Sequence, residues 1–518
     1  MDTLSSASSA TTVATPAAKR SATRRQIRGS SLLLMGRFLS KGVNFVVQVL
    51  IVRYLTKSDY GAFAYALSIV TLGETIVTFG LDRAVTRFVP IYHERGEHDK
   101  MLGTLLMVMG TIVTLGLALI LALYGFQHQI ARSFINDELA FTLLLTMIFL
   151  SPIRAFDTVL TGLLAVFSSP RAIFFRKYVL GPGLKLGIVV LLIARRSDVF
   201  FLAEGYVVAG VLGIATYALI LWRLLKREGL LQLRNVTIPA LEVLTFTVPL
   251  LTSDLVYTVM NTVDAVLLER FQGTVDVAAL RAVQPTAKLN QLVLSSFALL
   301  FTPLAARLFA REDREAVNDL YWQNAAWTAV ASFPVFVLTF SLAKPITVLL
   351  YGTRYEESAI ILALLSSGYY FNAALGQNGL TLKVYGKVRY VVFINVFVAV
   401  LNLALNLLLI PRYGALGAAV GTFTTMVIFN LLKQAGLAMG TGIRLWEPRY
   451  MRVYLSIVAG AVGLLFLQWL ANLPAYVSIG LAGVISVLIV RLNRTTLRVD
   501  EMFPELLRIP FVRHIIGA

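Results

Sequence analysis

The chain has 518 residues, of which 57% are hydrophobic and 14% charged, and its mean hydropathy is +0.76. Soluble domains carry roughly 25% charged residues, so the composition excludes an ordinary soluble protein and predicts one embedded in a membrane. The net charge of +18 would favour nucleic acid as a partner of a soluble protein. Here the basic residues lie in short segments between apolar runs, so we expect membrane lipids and no nucleic acid as partners.

Residues 1–29 are rich in Ser, Thr and Ala and end in a basic cluster. The apolar run that follows is longer than the core of a signal peptide and contains Arg37 and Lys41. We therefore predict a disordered cytoplasmic tail followed by the first membrane span, and no cleaved signal. Further apolar runs of about 20 residues follow, the length that a helix needs to cross a bilayer. They predict fourteen spans, at 30–52, 60–80, 101–125, 139–164, 174–194, 199–222, 242–268, 278–304, 319–343, 358–380, 388–410, 413–432, 453–471 and 474–491.

The segments between these spans are alternately rich and poor in Lys and Arg. When residues at span ends are counted with the adjoining segment, Lys and Arg concentrate on the side that holds both termini. The positive-inside rule therefore places both termini in the cytoplasm, as expected for a multi-pass protein of the inner membrane.

An internal repeat divides the chain. Residues 162–193 align without a gap with 379–410, and this register places Lys185 opposite Asn402. Six spans separate the two copies, so they have the same orientation and predict two parallel six-helix lobes. The fold class is thus an all-α polytopic membrane protein with two lobes and two C-terminal helices. The predicted units are a tail (1–29), an N-lobe (30–225), a C-lobe (226–440), two further spans (441–492) and an amphipathic cytoplasmic tail (493–518).

Polar residues form stripes within the spans. A charge at the bilayer centre costs roughly 2.5–3.5 kcal/mol even on the mildest scale, so these residues must face protein or water. In the first span, Arg37, Lys41, Asn44 and Gln48 fall on one helical face. The other stripes are Asp254, Tyr257, Asn261 and Asp264; Arg281, Gln284, Lys288, Gln291 and Ser295; and Asn395, Asn402 and Asn406.

Two interpretations of the stripes stay open at this point: a water-filled cavity between the lobes, or a buried network of structural ion pairs. In a cavity, the basic stripes would attract phosphate or carboxylate. Acidic residues there, including Glu74, would pair with the bases or bind a coupling proton or sodium ion. Arg154 and Asp157, three residues apart, are expected to form a local ion pair.

Several classes of function leave no trace in the sequence. It contains no phosphate-binding GxxxxGK[ST] loop, which excludes a self-contained ATP-driven pump. The four histidines lack the spacing of metal ligands, and cysteine is absent, which excludes disulfides and thiolate chemistry. We therefore expect a transporter that is not an enzyme and needs no metal or cofactor.

Three segments resemble polysaccharide-biosynthesis flippases of the multidrug/oligosaccharidyl-lipid/polysaccharide exporter superfamily. They are RYLTKSDYGAFAYALSIV from Arg53, GLDRAVTRFVP from Gly80 and NVFVAVLNLALNLLLIPRYGALGAAVGT from Asn395. The resemblance extends over roughly residues 28–490. It implies a V-shaped, alternating-access transporter that flips a polyprenyl-(pyro)phosphate-linked oligosaccharide, with a polysaccharide polymerase or glycosyltransferases as partners of what is expected to be a monomer.

The stripes, together with Lys185 of the repeated segment and the intramembrane acid Glu74, supply the candidate site residues for this function. Substrate-binding candidates are Arg37, Lys41, Arg281, Lys288, Lys185, Gln48, Gln284 and Asn402, and candidates for coupling or gating are Asp254, Asp264 and Glu74. Three alternatives stay open: a flippase for a lipid-linked peptidoglycan precursor, a cation-coupled multidrug exporter, and an intramembrane glycosyltransferase or polymerase.

Overall fold

A computed structural model describes residues 16–133, 135–166, 170–227, 236–471 and 473–502. All regular secondary structure in these ranges is helical, with no β-strand, which confirms the predicted all-α class. The cause is the composition: inside a bilayer the backbone must satisfy its own hydrogen bonds, and a helix does so within one segment.

The N-lobe contains ten α-helices within its described residues. They are α1 (Pro16–Tyr54), α2 (Lys57–Thr78), α3 (Leu81–Glu94), α4 (His98–Gly125), α5 (Gln127–Ser133), α6 (Glu138–Met147), α7 (Leu150–Val166), α8 (Pro170–Ile173), α9 (Gly181–Arg195) and α10 (Val199–Arg227). A π-helical segment, Phe174–Leu180, joins α8 to α9. Helix α1 begins at Pro16, so the predicted disorder is wrong for residues 16–29. This segment is rich in Ala, Arg and Ser and lacks an internal proline or glycine up to Arg28, which favours continuation of the helix.

The remainder of the described chain forms the C-lobe and the terminal helices. They are α11 (Ala240–Gln272), α12 (Thr274–Lys288), α13 (Asn290–Ala310), α14 (Arg314–Phe340), α15 (Ala343–Tyr351), α16 (Ala359–Ala374), α17 (Asn378–Val384), α18 (Val388–Thr441), α19 (Met451–Ala471), α20 (Ala475–Leu492), α21 (Arg494–Leu497) and α22 (Val499–Met502). Residues 503–518, which hold most of the predicted amphipathic tail, lie outside the described residues.

Helix α18 is two antiparallel helices joined at Gly414, whose backbone is not helical (φ 55°, ψ −136°). Asn402 donates a hydrogen bond to Thr425 Oγ1 at 3.4 Å, and Tyr390 donates one to the carbonyl of Leu432 at 2.8 Å. A straight helix would separate Asn402 from Thr425 by about 34 Å. The chain therefore reverses here, where the sequence predicts the junction between two spans.

By length and apolar composition, ten helices in the described ranges suffice to cross a membrane, or twelve when each of two bent pairs is counted as one span. The chain is therefore a multi-pass membrane protein. The ten include α18 once, although it reverses at Gly414. The number fourteen stays a prediction.

The two lobes meet along α2, which packs against α11 and α12. Gly61 makes this contact close, because a Cβ atom there would overlap the backbone of Thr274 at the start of α12. Most of α2 is consequently buried, and the apolar core continues from its residues Tyr60 and Phe63 into the C-lobe. This packing sets where the polar stripes of α11 and α12 lie.

Candidate functional site

A polar cavity of about 530 Å³ lies inside the C-lobe, between α11, α12, α13, α16, α17 and both halves of α18. Its lining includes three lysines, Lys288, Lys383 and Lys433, and one acid, Asp264. Nine amide side chains share the lining, among them Asn261, Gln284, Gln291, Asn395, Asn402 and Asn430. Amide groups both donate and accept hydrogen bonds, as do sugar hydroxyls, and the lysines add positive charge.

Four of the predicted residues lie at this cavity: Lys288, Gln284, Asn402 and Asp264. Asn402 also accepts a hydrogen bond from Asn406 at 3.2 Å, which holds its amide in place. Lys288 has no carboxylate within ion-pair distance in the part of the chain that the structure describes. Its charge is therefore available to a ligand.

Arg281 lies behind the cavity wall. Its guanidinium donates to Asp264 at 2.9 Å, to Gln284 Oε1 at 2.7 Å and to the carbonyl of Asn261 at 2.9 Å. The side chains of Arg281 and Asp264 are only 13% and 5% exposed. This pair fits the ion-pair interpretation of the stripes. Lys288, two turns further along α12, does line a cavity, but that cavity lies within the C-lobe and not between the lobes, where the sequence predicted one.

A second, smaller cavity of about 170 Å³ lies in the N-lobe, between α1, α7, the π-helical segment, α9 and α10. It is lined by the predicted residue Lys185 and by three further cations, Arg154, Arg176 and Lys177. Asp157 is the acid in its wall. No residue lines both cavities, so the polar stripes enclose one cavity within each lobe.

Arg154 and Asp157 do not form the predicted local ion pair. Asp157 accepts from Arg176 of the π-helical segment at 2.5 Å, and Arg154 lies 3.9 Å from Glu74 of α2. Arg176 also donates to the carbonyl of Gly213 at 2.9 Å. The prediction was wrong because neighbouring helices bring a closer partner to each side chain than the i+3 residue of the same helix.

The internal repeat relates the two cavities. In the register that pairs Lys185 with Asn402, Asn44 pairs with Asn261, and each of these four residues lines the cavity of its own lobe. The sequence repeat and the positions of the cavities thus support each other. The two cavities differ mainly in charge, because Lys185 of the N-lobe corresponds to the neutral amide Asn402 of the C-lobe.

The four polar residues of the first span have three different surroundings. Asn44 lines the N-lobe cavity, and Gln48 donates a hydrogen bond to the hydroxyl of Tyr60 on α2. Arg37 and Lys41 are exposed and line neither cavity.

Asp254 joins the lobes. It accepts from Arg83 of α3 at 2.6 Å, with both side chains partly exposed. Nearby, Tyr92 of α3 donates to Glu242 of α11 at 2.8 Å. The N-terminal half of α11 is therefore tied to the N-lobe at this end of the bundle.

At the other end of α11, Glu269 is fully buried against the N-lobe. Its Oε1 accepts the backbone N–H groups of Asn136 at 2.6 Å and Asp137 at 3.0 Å. Thr274 donates to Asp137 at 2.6 Å, and Arg270 donates to Asn136 at 2.8 Å. This group, which we call the Glu269 clasp, closes one end of the contact between the lobes.

Two arginines add further contacts between the lobes at the end that the Glu269 clasp closes. Arg53 of α1 donates to the carbonyls of Leu349 and Leu350, at 2.7 and 2.9 Å. Arg354, from the C-lobe, donates in turn to the carbonyl of Val52 at 2.6 Å. Each lobe thus supplies an arginine to the helix end of the other.

Sequence reasoning missed Arg83, Arg176, Lys383 and Lys433 as site residues. All four lie at or beyond the predicted span ends, where a basic residue ordinarily contacts lipid headgroups or water. The signal that could have found Arg176 is its place in the repeated segment, a few residues before Lys185.

Comparison with known proteins identifies the family. Residues 27–309, more than half of the chain, match the family described as polysaccharide biosynthesis protein, and residues 249–408 match the MatE family. An uncharacterized membrane protein of Methanocaldococcus jannaschii, MJ1068, is 24% identical over 434 residues, which are 79% of this chain and 83% of that protein. The capsular polysaccharide biosynthesis protein CapF of Staphylococcus aureus is 25% identical over 178 residues, which are 34% of this chain and 45% of CapF.

Among solved structures, the lipid II flippase MurJ in an inward closed conformation is similar, with a TM-score of 0.69 and 17% identity. The match covers 90% of this chain and 99% of MurJ, and at this identity it shows the fold alone, a two-lobed V-shaped bundle. The family match, the fold and the charged membrane helices agree. The chain belongs to the polysaccharide biosynthesis protein family, within the multidrug/oligosaccharidyl-lipid/polysaccharide exporter superfamily of flippases and transporters.

Proposed function

We propose that this protein flips a polyprenyl-(pyro)phosphate-linked oligosaccharide from the cytoplasmic to the outer leaflet of the inner membrane, for surface polysaccharide biosynthesis. The observation that carries the proposal is the lining of the C-lobe cavity, where nine amides and three lysines surround one space. Amides suit sugar hydroxyls, and lysines suit a phosphate or an acidic sugar. A cavity for cationic drugs would place acids where Lys288, Lys383 and Lys433 stand.

The relatives support a glycan as cargo. The matching family is described by polysaccharide biosynthesis, and CapF is named for capsular polysaccharide biosynthesis. The fold is similar to that of a protein named as a lipid II flippase. The polyprenyl chain would stay in the bilayer while the polar headgroup crosses through the protein.

The way the lobes meet supports a mechanism of alternating access. Because we place both termini in the cytoplasm, the Glu269 clasp would face the outside, and this conformation would be closed toward the outer leaflet. Release of the substrate then requires Glu269 to leave the backbone N–H groups of Asn136 and Asp137. Asp254, which joins the lobes at the opposite end, takes a gating role, and Asp264 and Glu74 remain the candidates for a coupling proton or sodium ion.

One observation favours a second candidate function. The similarity to MurJ covers nearly the whole of that protein, so a lipid-linked peptidoglycan precursor is the alternative cargo. Both candidate cargoes are lipid-linked, and they differ in the group that the lipid carries.

A complementation experiment separates the candidates. The gene is deleted in its host and restored as wild type, Lys288→Gln or the control Lys387→Gln, whose lysine is exposed and lines neither cavity. We expect the deletion and Lys288→Gln to lose surface polysaccharide at unchanged protein level, while the control restores it and cell-wall synthesis continues. Lysis on deletion with intact surface polysaccharide would instead establish the peptidoglycan precursor as cargo.

A further inference from the structure

The N-lobe cavity holds more positive charge than the acids around it neutralise. Arg154, Arg176, Lys177 and Lys185 line it, and Asp157 is the acid in its wall. The helix packed behind Arg154 adds one more acid, Glu74, at 3.9 Å. Four cations thus face two acids within a membrane-embedded lobe, where an unmatched charge is costly.

Asp157 is matched by Arg176 and Glu74 by Arg154, so Lys177 and Lys185 have no acid within ion-pair distance among the described residues. Lys177 is exposed, which leaves Lys185 as the unmatched cation inside the cavity. Arg176 is satisfied by Asp157 and by the carbonyl of Gly213. Among the described residues, neither Arg154 nor Lys185 donates a hydrogen bond to any acceptor, and Lys185 Nζ lies 5.5 Å from the centre of the Tyr206 ring. Both side chains line the cavity, and at 3.9 Å Glu74 is too far to accept a hydrogen bond from Arg154, so N–H donors of both residues are available to a ligand.

The size of the cavity limits what these donors can bind. Its volume of about 170 Å³ is well below the roughly 300–1,000 Å³ of pockets that enclose drug-sized ligands, so an oligosaccharide does not fit. A single tetrahedral oxyanion does. A phosphoryl group offers several acceptor oxygens and up to two negative charges, and it forms charge-assisted hydrogen bonds with both arginine and lysine.

We propose that the N-lobe cavity is a binding site for a phosphoryl group, held by Arg154 and Lys185. The phosphoryl group comes either from a polyprenyl phosphate lipid or from free phosphate; the lipid source rests on the proposed function. When the phosphoryl group belongs to the lipid, each lobe binds a different part of the substrate. The N-lobe cavity binds the phosphate, and the larger C-lobe cavity binds the glycan.

A binding experiment on the purified full-length protein tests this site. The protein is held in dodecyl maltoside, which contains no phosphate, and is titrated with polyprenyl monophosphate in one arm and inorganic phosphate in the other. Lys185→Gln is the test variant, because its removal leaves no carboxylate without an ion-pair partner. Lys226→Gln, an exposed lysine of the same lobe, is the matched control, and Lys185→Arg should keep binding.

We expect wild type and Lys226→Gln to bind in at least one arm, and Lys185→Gln to bind about tenfold more weakly or worse. The arm that binds identifies the source. Absence of binding in both arms, or equal affinity of Lys185→Gln and wild type, overturns the proposal.

A measurement on the wild-type protein alone tests the site even when Lys185→Gln does not fold. Lys185 is labelled with an amine-reactive reagent, and its modification is quantified by mass spectrometry with and without the phosphate ligand. Protection of Lys185, with unchanged labelling of Lys226, supports the site, and equal labelling of Lys185 overturns it. Because neither ligand carries a glycan, these results stand apart from whether glycan is exported.

Discussion

Arg281, behind the wall of the C-lobe cavity, forms an ion pair of 2.9 Å with Asp264 of the cavity lining, and the two side chains are 13% and 5% exposed. One was predicted to bind substrate and the other to couple transport, yet in this conformation each is the partner of the other. Substrate arriving at Lys288 meets a neutral pair beside it rather than two free charges.

The first prediction concerns the stability of this pair. Arg281→Gln or Asp264→Asn leaves the other charge buried without its partner, at an expected cost of about 3–5 kcal/mol. The double variant should recover a large part of that loss. Thermal unfolding of the purified proteins in detergent, arranged as a double-mutant cycle, measures the coupling. Additive effects of the two single variants would show that the pair contributes nothing.

The second prediction uses the packing of Gly213 against Arg176. Ala is ordinarily better than Gly inside a helix by up to about 1 kcal/mol. A Cβ at residue 213 would overlap the guanidinium of Arg176, so Gly213→Ala should destabilise the protein by about 1–3 kcal/mol.

Gly187→Ala is the matched control for Gly213→Ala, since nothing lies within 4 Å of the Cβ it would add. Its melting temperature should equal or exceed that of wild type. An increase for Gly213→Ala as well would mean that the buried Arg176 is placed elsewhere.

The third prediction concerns the closed end. Arg270 Nη1 donates to Asn136 Oδ1 at 2.8 Å across the lobes. The protein has no native cysteine, so Asn136→Cys combined with Arg270→Cys places a unique pair of thiols at this contact. A short reducible thiol cross-linker should hold the lobes together and stop transport, and dithiothreitol should restore it. Each single cysteine variant, treated in the same way, should keep transporting. Full activity of the cross-linked protein would exclude opening at the Glu269 clasp.

The fourth prediction tests Arg83 and Asp254. Both side chains are partly exposed, so the pair should contribute only about 1 kcal/mol to stability. Its effect on transport should be larger, because it links α3 to α11 in this conformation and not in one where the lobes have separated there. Arg83→Asp and Asp254→Arg should each impair export, and the combined exchange should restore most of it. Failure of the exchange alongside normal protein levels would exclude a gating role for the pair.

The spacing of apolar and polar residues in the sequence predicts many of the helices and several of the cavity residues. Apolar run length indicates the helices, and the junction near residue 411 coincides with the reversal at Gly414. Helical periodicity placed Gln284, Lys288 and Asn402 on polar faces, and all three line the C-lobe cavity. Periodicity works here because a polar face inside a membrane must turn toward protein or water.

Spacing along one helix does not show which neighbouring helix supplies a partner. Arg281 shares a face with Lys288 but pairs with Asp264, because α11 packs beside α12. Asp157 pairs with Arg176 because a π-helical segment, with no sequence signal that we recognised, turns that arginine inward. Such partners depend on tertiary packing and are visible only in the structure.

The most direct test of the account is translocation by the purified protein. It is reconstituted into liposomes with a polyprenyl-pyrophosphate-linked oligosaccharide, and a membrane-impermeant glycosidase measures how fast glycan from the inner leaflet becomes accessible. Wild type and Lys387→Gln should expose the glycan many times faster than protein-free liposomes, and Lys288→Gln should approach the protein-free rate. Equal rates with and without wild-type protein would contradict the proposal that this chain is a flippase for lipid-linked oligosaccharide.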